Sequence, residues 1–210
     1  MSDKHLSWKY AEEFVVEPPE IAAARVHSNE LGIEAVSAAV GAQLALLAAA
    51  TNAKSIIEIG TGVGISGLWM LAGSPLALLT TIDSELDHQH VARAIFADAN
   101  IPANRVRQIG GKASEVLPRM NESSYDLVFI DADPQSVIEY VEHGLRLVRP
   151  GGVVAVAHAL WRDRVADPAQ RDEIVTNFRS LLKEISQSDA VISSLIPVGD
   201  GLLQLTKLSD

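Results

Sequence analysis

From Lys54 to Ala157 the chain alternates short apolar segments with segments of helix length, and this alternation constrains the fold more than any other feature. The apolar segments are predicted as five β-strands: Ser55–Ile59, Leu76–Ile82, Arg105–Ile109, Tyr125–Ile130 and Val153–Ala157. Amphipathic helices are predicted between them: Ser66–Ala72, Leu86–Ala99, Ser114–Met120 and Gln135–Val148. Because strands that are apolar on both faces must be covered on both, the pattern predicts an α/β fold with a parallel sheet between two helical layers.

The two ends of the chain depart from this alternation. Pro18 and Pro19 predict the start of a helix over Glu20–Asn29, since proline is tolerated in a first helical turn. Ser37 is the predicted N-cap of an Ala- and Leu-rich helix that extends to Ala50.

The C-terminal part is predicted to hold a helix over Gln170–Gln187 and two strands, Val191–Ile196 and Leu202–Lys207. The turn Gly199-Asp200-Gly201 between these strands indicates a hairpin, so we expect the last strand to enter the sheet antiparallel. Pro150-Gly151-Gly152 predicts a break between the fourth helix and the fifth strand. No repeat or linker is visible, and we expect one domain over residues 1–210, with N-terminal helices over 1–52 and the α/β core over 53–210.

Composition limits the class of protein. The formal net charge is −10, with 17 Lys and Arg against 27 Asp and Glu, and the basic residues are scattered. We therefore expect no nucleic-acid partner, because the field of the protein repels a polyanion. The absence of cysteine excludes disulfides, thiolate nucleophiles and Cys-ligated metals. No apolar run has the length of a membrane span and Met1–Phe14 has no signal core, so we expect a cytoplasmic protein.

A glycine-rich loop follows the first strand, in the run Ile57-Glu58-Ile59-Gly60-Thr61-Gly62-Val63-Gly64-Ile65-Ser66. Glycines at a strand-to-helix turn allow the backbone to approach a ligand closely. Asp83 follows the second strand, where it can accept hydrogen bonds from a ribose. Gly62, Gly64 and Gly67 also spell the dinucleotide motif G-x-G-x-x-G, with Asp83 about 20 residues on. A third interpretation is a tight turn without a ligand.

Glu58 helps to separate these interpretations, because a carboxylate at the end of an apolar strand is costly to bury without a partner. S-adenosylmethionine carries an α-ammonium group, which an acid attracts, whereas a dinucleotide carries a pyrophosphate, which an acid repels. A Glu58 that caps local backbone groups is the structural alternative. The terminal hairpin also differs from the repeated parallel strands of dinucleotide-binding folds. The sequence therefore favours a methyltransferase over a nicotinamide-dependent oxidoreductase.

Several motifs occur in the same order as in a known family: Glu58-Ile59-Gly60-Thr61-Gly62 with Ser66, Thr81-Ile82-Asp83, Tyr125-Asp126-Leu127-Val128-Phe129-Ile130-Asp131-Ala132-Asp133, Leu147-Val148-Arg149-Pro150-Gly151-Gly152, and Pro197-Val198-Gly199-Asp200-Gly201. From Val36 to Lys207 the chain resembles the cation-dependent O-methyltransferases of the catechol and caffeoyl-CoA type, most of all their actinobacterial members. The resemblance implies a Rossmann-like methyltransferase fold with a mostly parallel seven-stranded sheet and an antiparallel C-terminal hairpin strand. It further implies methyl transfer to a hydroxyl of a small molecule, and a homodimer.

The resemblance also implies a set of site residues. Those expected to bind S-adenosylmethionine are Glu58, Gly60, Thr61, Gly62 and Ser66 at the methionine part, Asp83 at the ribose, Ala113 beside the adenine, Val36 as a cover, and Asp131 and Asp133 near the transferred methyl group. Asp131 and His158 are the catalytic candidates.

The metal site of the resembled family is altered in this chain. A divalent metal there lowers the pKa of the substrate oxygens, and its ligands resemble Asp131 plus an Asp-Asn pair that is Ala157-His158 here. A lysine common in the family is replaced by Pro134. Loss of a carboxylate should weaken Mg²⁺ binding. Three interpretations of these residues stay open. Asp131 and His158 bind a different metal, His158 acts as a base, or His158 only forms a hydrogen bond with a loop carbonyl.

Two further alternatives stay open in the sequence. The chain is also consistent with a non-enzymatic cofactor-binding protein whose metal site has decayed. Trp161, after the fifth strand, is expected either to line a pocket for an aromatic acceptor or to pack in the core.

Overall fold

The computed structural model describes the backbone of residues 4–209 and the side chains of residues 6–209. Met1–Asp3 and Asp210, the ends of the expected domain, lie outside the described residues. Seven strands form one sheet: β1 Ser55–Ile59, β2 Leu78–Asp83, β3 Val106–Gly110, β4 Tyr125–Ile130, β5 Val148–Val156, β6 Val191–Ile196 and β7 Leu202–Lys207. The helices are α1 Lys4–Glu13, α2 Pro19–Leu31, α3 Ala38–Ala50, α4 Ile65–Gly73, α5 Leu86–Asp98, α6 Ala113–Val116, α7 Val137–Leu147 and α8 Glu173–Ser186.

The strand order is β3-β2-β1-β4-β5-β7-β6, with β1 to β5 parallel and β7 antiparallel to both of its neighbours. This confirms the predicted fold. Alternate residues of each central strand enter opposite cores: Ile56 packs in the core under α2 to α5, whereas Ile57 and Ile59 pack in the core under α6 to α8. Helices therefore cover both faces of the sheet.

Four of the predicted strands have the bounds observed in the structure, namely β1, β4, β6 and β7, and most other bounds differ by a few residues. The predicted break at Pro150-Gly151-Gly152 is wrong, as is the placement of Val148 in a helix. Val148 already pairs with Tyr125, and the pairing resumes at Leu127 and Val153, so that the Pro-Gly-Gly run forms a bulge inside β5.

The first helix, α1, was not predicted, because its sequence shows no apolar stripe. It is held instead by a polar contact between distant residues. The carboxylate of Glu12 accepts hydrogen bonds from the Ser37 hydroxyl (2.8 Å) and from the backbone N–H of Gly199 (2.7 Å). Ser37 is the N-cap of α3, as predicted, since its hydroxyl oxygen accepts from the Val40 N–H.

The order of the central strands reverses between β1 and β4, and in open α/β sheets ligands bind outside the carboxyl ends of the strands at such a point. None of the described helices has both the length and the apolar character needed to cross a bilayer.

Candidate active site

A cleft of about 980 Å³ opens at the carboxyl ends of β1, β2 and β4. Predicted site residues that line it are Gly60, Gly62, Asp83, Ala113, Asp131 and Asp133. A smaller recess of about 70 Å³ lies beside it and is lined by Val36, Thr61 and Ser66, again with Gly60, Gly62 and Asp131. The fold thus brings together residues that are nearly 100 positions apart in the chain.

Gly60 allows the close approach of two strand ends. Its φ is +96°, and a Cβ at this position would clash with the carbonyl oxygen of Asp131. The contact is fixed from the other side, because the Asp131 N–H donates to the Ile59 carbonyl at 2.8 Å. Gly62 also has a positive φ, +49°, but a Cβ there would come no nearer than 3.7 Å to Ile33. Gly60 is therefore required for packing, whereas Gly62 leaves the loop open toward the cleft.

Asp83 organises the glycine-rich loop. Its Oδ2 accepts the backbone N–H groups of Thr61 (2.9 Å) and Gly62 (3.0 Å), and its Oδ1 accepts the Glu85 N–H at 2.8 Å. The Nδ1 atom of His88 lies 3.7 Å from the same Oδ2. The Asp83 carboxylate thus lines the cleft, and its hydrogen bonds with the glycine-rich loop fix its orientation.

Glu58 is fully buried behind the loop and lines neither cavity. Its carboxylate accepts hydrogen bonds from the hydroxyls of Ser66 (2.5 Å) and Thr81 (2.7 Å), and the Thr81 hydroxyl also bonds that of Thr61 at 2.7 Å. Burial raises the pKa of Glu58 to about 7, although both hydroxyls act in the opposite direction. Because its partners are side-chain hydroxyls, Glu58 does not cap the backbone.

His158 follows β5 and lies between two carboxylates. Its Nε2 atom is 3.6 Å from Oδ1 of Asp131, and its Nδ1 atom is 3.3 Å from Oδ2 of Asp200. The ring therefore faces acids on both sides, and the interpretation that it only bonds a loop carbonyl is wrong. Sequence reasoning missed Asp200, whose signal was its place in the Gly-Asp-Gly turn.

Asp131 and Asp133 differ in their surroundings. Burial raises the pKa of Asp131, while the nearby His158 lowers it and Glu34 adds to the rise. Asp133 is exposed and caps a short 3₁₀ turn over Pro134–Ser136, where it accepts from the Gln135 N–H (3.2 Å) and the Ser136 hydroxyl (2.8 Å). Asp133 thus has a structural role whether or not it also contacts a ligand.

The donor atoms near Asp131 do not fit the divalent metal of the resembled family. Ala157 offers no side-chain ligand, and His158 contacts Asp131 directly. Within residues 6–209, no group of three or more His, Asp or Glu side chains is placed to hold a metal ion. Mg²⁺ requires an octahedral set of oxygen ligands, and this site supplies one carboxylate where the family has two and an amide.

A narrow recess beside Asp131 has apolar walls formed by Pro134, Val137, Ala157, Trp161 and Phe178. Trp161 stacks on Phe178 with ring centroids 5.9 Å apart, and the Arg162 guanidinium lies 5.9 Å from the Trp161 ring. Trp161 thus packs against a core residue, as one of its two expected roles has it, and the recess that it lines measures only about 20 Å³. The main cleft has further lining residues that the sequence did not reveal: Ile33, Glu34, His88 and Tyr140.

The chain is similar to known methyltransferases over almost its whole length. The family model described as O-methyltransferase matches residues 11–208. A Mycobacterium avium protein that carries the name O-methyltransferase is 46% identical over 195 residues, which are 92% of this chain and 88% of that protein.

Two solved structures share the fold. A Corynebacterium glutamicum protein has a TM-score of 0.89 at 29% identity, covering 100% of this chain and 99% of that one. The O-methyltransferase TomG of Streptomyces achromogenes, involved in tomaymycin synthesis and solved in complex with S-adenosylmethionine, has a TM-score of 0.86 at 29% identity over 100% of both chains. These similarities do not favour a nicotinamide-dependent oxidoreductase or a non-enzymatic protein. The chain belongs to the O-methyltransferase family.

Proposed function

We propose that this protein transfers a methyl group from S-adenosylmethionine to a hydroxyl of a small molecule, and that His158 takes the hydroxyl proton. The observation that carries the proposal is the convergence of the glycine-rich loop, Asp83 and Asp131 on one cleft, in a chain that resembles an S-adenosylmethionine-bound O-methyltransferase over its whole length. The cleft volume of about 980 Å³ lies at the upper end of small-molecule sites, which leaves room for a cofactor and an acceptor together.

The residues present fit S-adenosylmethionine. Gly62 leaves the backbone open toward the cleft, and Asp83 offers a fixed carboxylate for the ribose hydroxyls. Glu58 places a buried acid directly behind Ser66, so that an ammonium group in the recess is attracted through the polarised Ser66 hydroxyl. Val36 lines the same recess, and Ala113 lines the main cleft at the start of α6, beside the adenine in this arrangement.

S-adenosylmethionine supplies a methyl group on a positively charged sulfur, which an acceptor oxygen displaces in line. A neutral hydroxyl is a weak nucleophile, so the enzyme gains rate by removing its proton as the bond forms. Nε2 of His158 is the candidate to receive that proton, because the imidazole lies 3.6 Å from Oδ1 of Asp131, and Asp131 lines the cleft. The Asp131 carboxylate then stabilises the imidazolium that results.

The proposal includes no divalent metal, because the donor atoms near Asp131 do not form a set of oxygen ligands for Mg²⁺. We infer that Mg²⁺ is weakly held at Asp131 and that turnover depends little on it.

We also propose a homodimer. Several large apolar side chains of the N-terminal helices and their connecting segment are exposed, among them Leu6, Trp8, Tyr10, Phe14, Val16, Val26 and Leu31. Exposed apolar side chains grouped in this way mark a surface that a partner covers. The net charge of −10 supports a small-molecule rather than a nucleic-acid substrate.

Titration calorimetry tests the cofactor. S-adenosylmethionine or S-adenosylhomocysteine should bind, and NAD should not. Asp83→Ala should weaken binding by ~1.5–3 kcal/mol, because hydrogen bonds to a charged group are lost. Asp87→Ala, which removes an exposed acid from the next turn of the chain, is the matched control and should bind as the wild type does. A preference for NAD would overturn the proposal.

A further inference from the structure

The turn before β7 is tied to the loop that carries His158. The N–H groups of Ala159 and Leu160 donate to the carbonyls of Gly201 and Asp200, each at 2.9 Å. The Asp200 side chain adds two contacts, one through each oxygen. Its Oδ1 accepts the Arg162 N–H at 2.6 Å, and its Oδ2 faces Nδ1 of His158 at 3.3 Å.

The two oxygens of Asp200 have different tasks. The loop after β5 holds an unusual number of non-glycine residues with positive φ: His158 at +55°, Trp161 at +46°, Arg162 at +56° and Asp163 at +60°. Such conformations persist only where the surroundings fix them. Oδ1 of Asp200 helps to stabilise the loop by accepting the Arg162 N–H. Oδ2 accepts from no backbone group of the loop and faces the His158 imidazole.

A neutral imidazole carries one proton, and the partner of each nitrogen decides where the proton lies. Nδ1 is 3.3 Å from an Asp200 oxygen, while Nε2 is 3.6 Å from the nearest Asp131 oxygen, which is beyond hydrogen-bond range. The geometry therefore favours the proton on Nδ1. Nε2, on the side of Asp131, then keeps a free lone pair.

We propose that Asp200 is a positioning residue: it holds His158 in the Nδ1–H tautomer and leaves Nε2 free to accept the proton of the methyl acceptor. The inference rests on the proposed role of His158 as the base. Asp200 itself touches neither cofactor nor acceptor in this scheme and acts only through the imidazole.

Asp200→Asn separates the two tasks of this side chain. Asparagine keeps an oxygen for the Arg162 N–H and tolerates the φ of +66° at this position. It also places an amide N–H₂ donor opposite Nδ1, so the imidazole must move its proton to Nε2. Asp163→Asn is the matched control, since it removes an exposed carboxylate from a left-handed position of the same loop without contact to His158.

The experiment is long-range ¹H–¹⁵N correlation NMR on the full chain with ¹⁵N-labelled histidine, at about pH 8, above the ordinary histidine pKa of about 6.5. The His158 resonances are those that disappear in His158→Ala. We expect the Nδ1–H tautomer in the wild type and in Asp163→Asn, and the Nε2–H tautomer in Asp200→Asn. A wild-type ring that is Nε2–H or doubly protonated overturns the inference, as does an unchanged tautomer in a folded Asp200→Asn. If that variant does not fold, the wild-type spectrum decides alone.

The spectrum needs neither cofactor nor acceptor, so its outcome is independent of the calorimetric test. Failure to bind S-adenosylmethionine would remove the proposed function and leave the tautomer result standing. Normal binding with the wrong tautomer would remove only the role of Asp200.

Discussion

Replacement of Glu58 by glutamine should change how stability depends on pH, because the buried carboxyl has a raised pKa. Burial raises it from 4.5 to about 7. A group whose pKa is higher in the folded state stabilises the protein fully below its unfolded pKa, and this contribution is lost as the pH rises through the folded value. At about 1.4 kcal/mol per pH unit, the full loss is roughly 3 kcal/mol.

Glutamine can keep a hydrogen bond to each of the two hydroxyls that contact Glu58. Its amide oxygen accepts from one hydroxyl, and its N–H₂ donates to the other. Thr81 allows this exchange, because its hydroxyl can turn to donate to Thr61 instead of Glu58. The pH dependence of the difference in free energy of unfolding between wild type and variant therefore reports the ionisation of Glu58.

The assay is urea unfolding followed by circular dichroism, for wild type and Glu58→Gln, from pH 5.5 to pH 8. This range avoids the isoelectric point near 5.0. The free energy of unfolding of the wild type, relative to that of the variant, should fall by about 2 kcal/mol across it, since part of the change lies below pH 5.5. Glu142→Gln on α7 controls for the loss of an exposed carboxyl. A difference that is constant or rises with pH would refute the reasoning.

Further outcomes are expected for the cofactor site, the glycine-rich loop, the metal and the oligomeric state. Glu58→Gln should also bind S-adenosylmethionine more weakly in calorimetry at pH 8; unchanged affinity would remove Glu58 from the cofactor site. Gly60→Ala should lower the free energy of unfolding by more than about 2 kcal/mol or prevent folding, because of the clash with Asp131. Gly62→Ala should fold, at a backbone cost of about 1–2 kcal/mol, and the order of these two variants in thermal melts is the check. With a neutral catechol as acceptor, EDTA should leave the rate nearly unchanged and His158→Ala should lower it at least about 100-fold; full loss in EDTA, restored by Mg²⁺ alone, contradicts the metal inference. Light scattering at micromolar concentration should report a dimer, and a monomer mass would contradict that proposal.

The sheet was predictable because its strands carry a local signal. Ser55–Ile59 and Tyr125–Ile130 are mostly apolar runs, each with a single acid, and the Gly-Asp-Gly turn marks the hairpin. The bulge in β5 was not predictable, since Pro150-Gly151-Gly152 has the composition of a break. Only pairing with β4 shows that the strand passes through it.

Several residues that line the cleft were likewise visible in sequence, because they lie in the glycine-rich loop and at the carboxyl ends of β2 and β4. The surroundings of His158 were not visible. They depend on Asp200, 42 positions away, and on a loop whose left-handed residues have no glycine to mark them. Local propensity carries no information about such contacts, which tertiary structure alone creates.

The reversed direction of β7 determines which parts of the chain lie at the same end of the sheet as the cleft. Since Leu203, near the start of β7, pairs with Val156 at the end of β5, the turn before β7 lies at the same sheet edge as the cleft. A parallel seventh strand would put that turn at the opposite edge. The glycine-rich loop and Asp83 come from residues 60–83, whereas the His158 region is built from residues 157–163 and 199–201, with α1 attached through Glu12. Under the proposed function, the glycine-rich loop with Asp83 and the base His158 thus come from separate stretches of chain, and we expect substitutions in the second stretch to alter acceptor choice while this part of the donor site is kept.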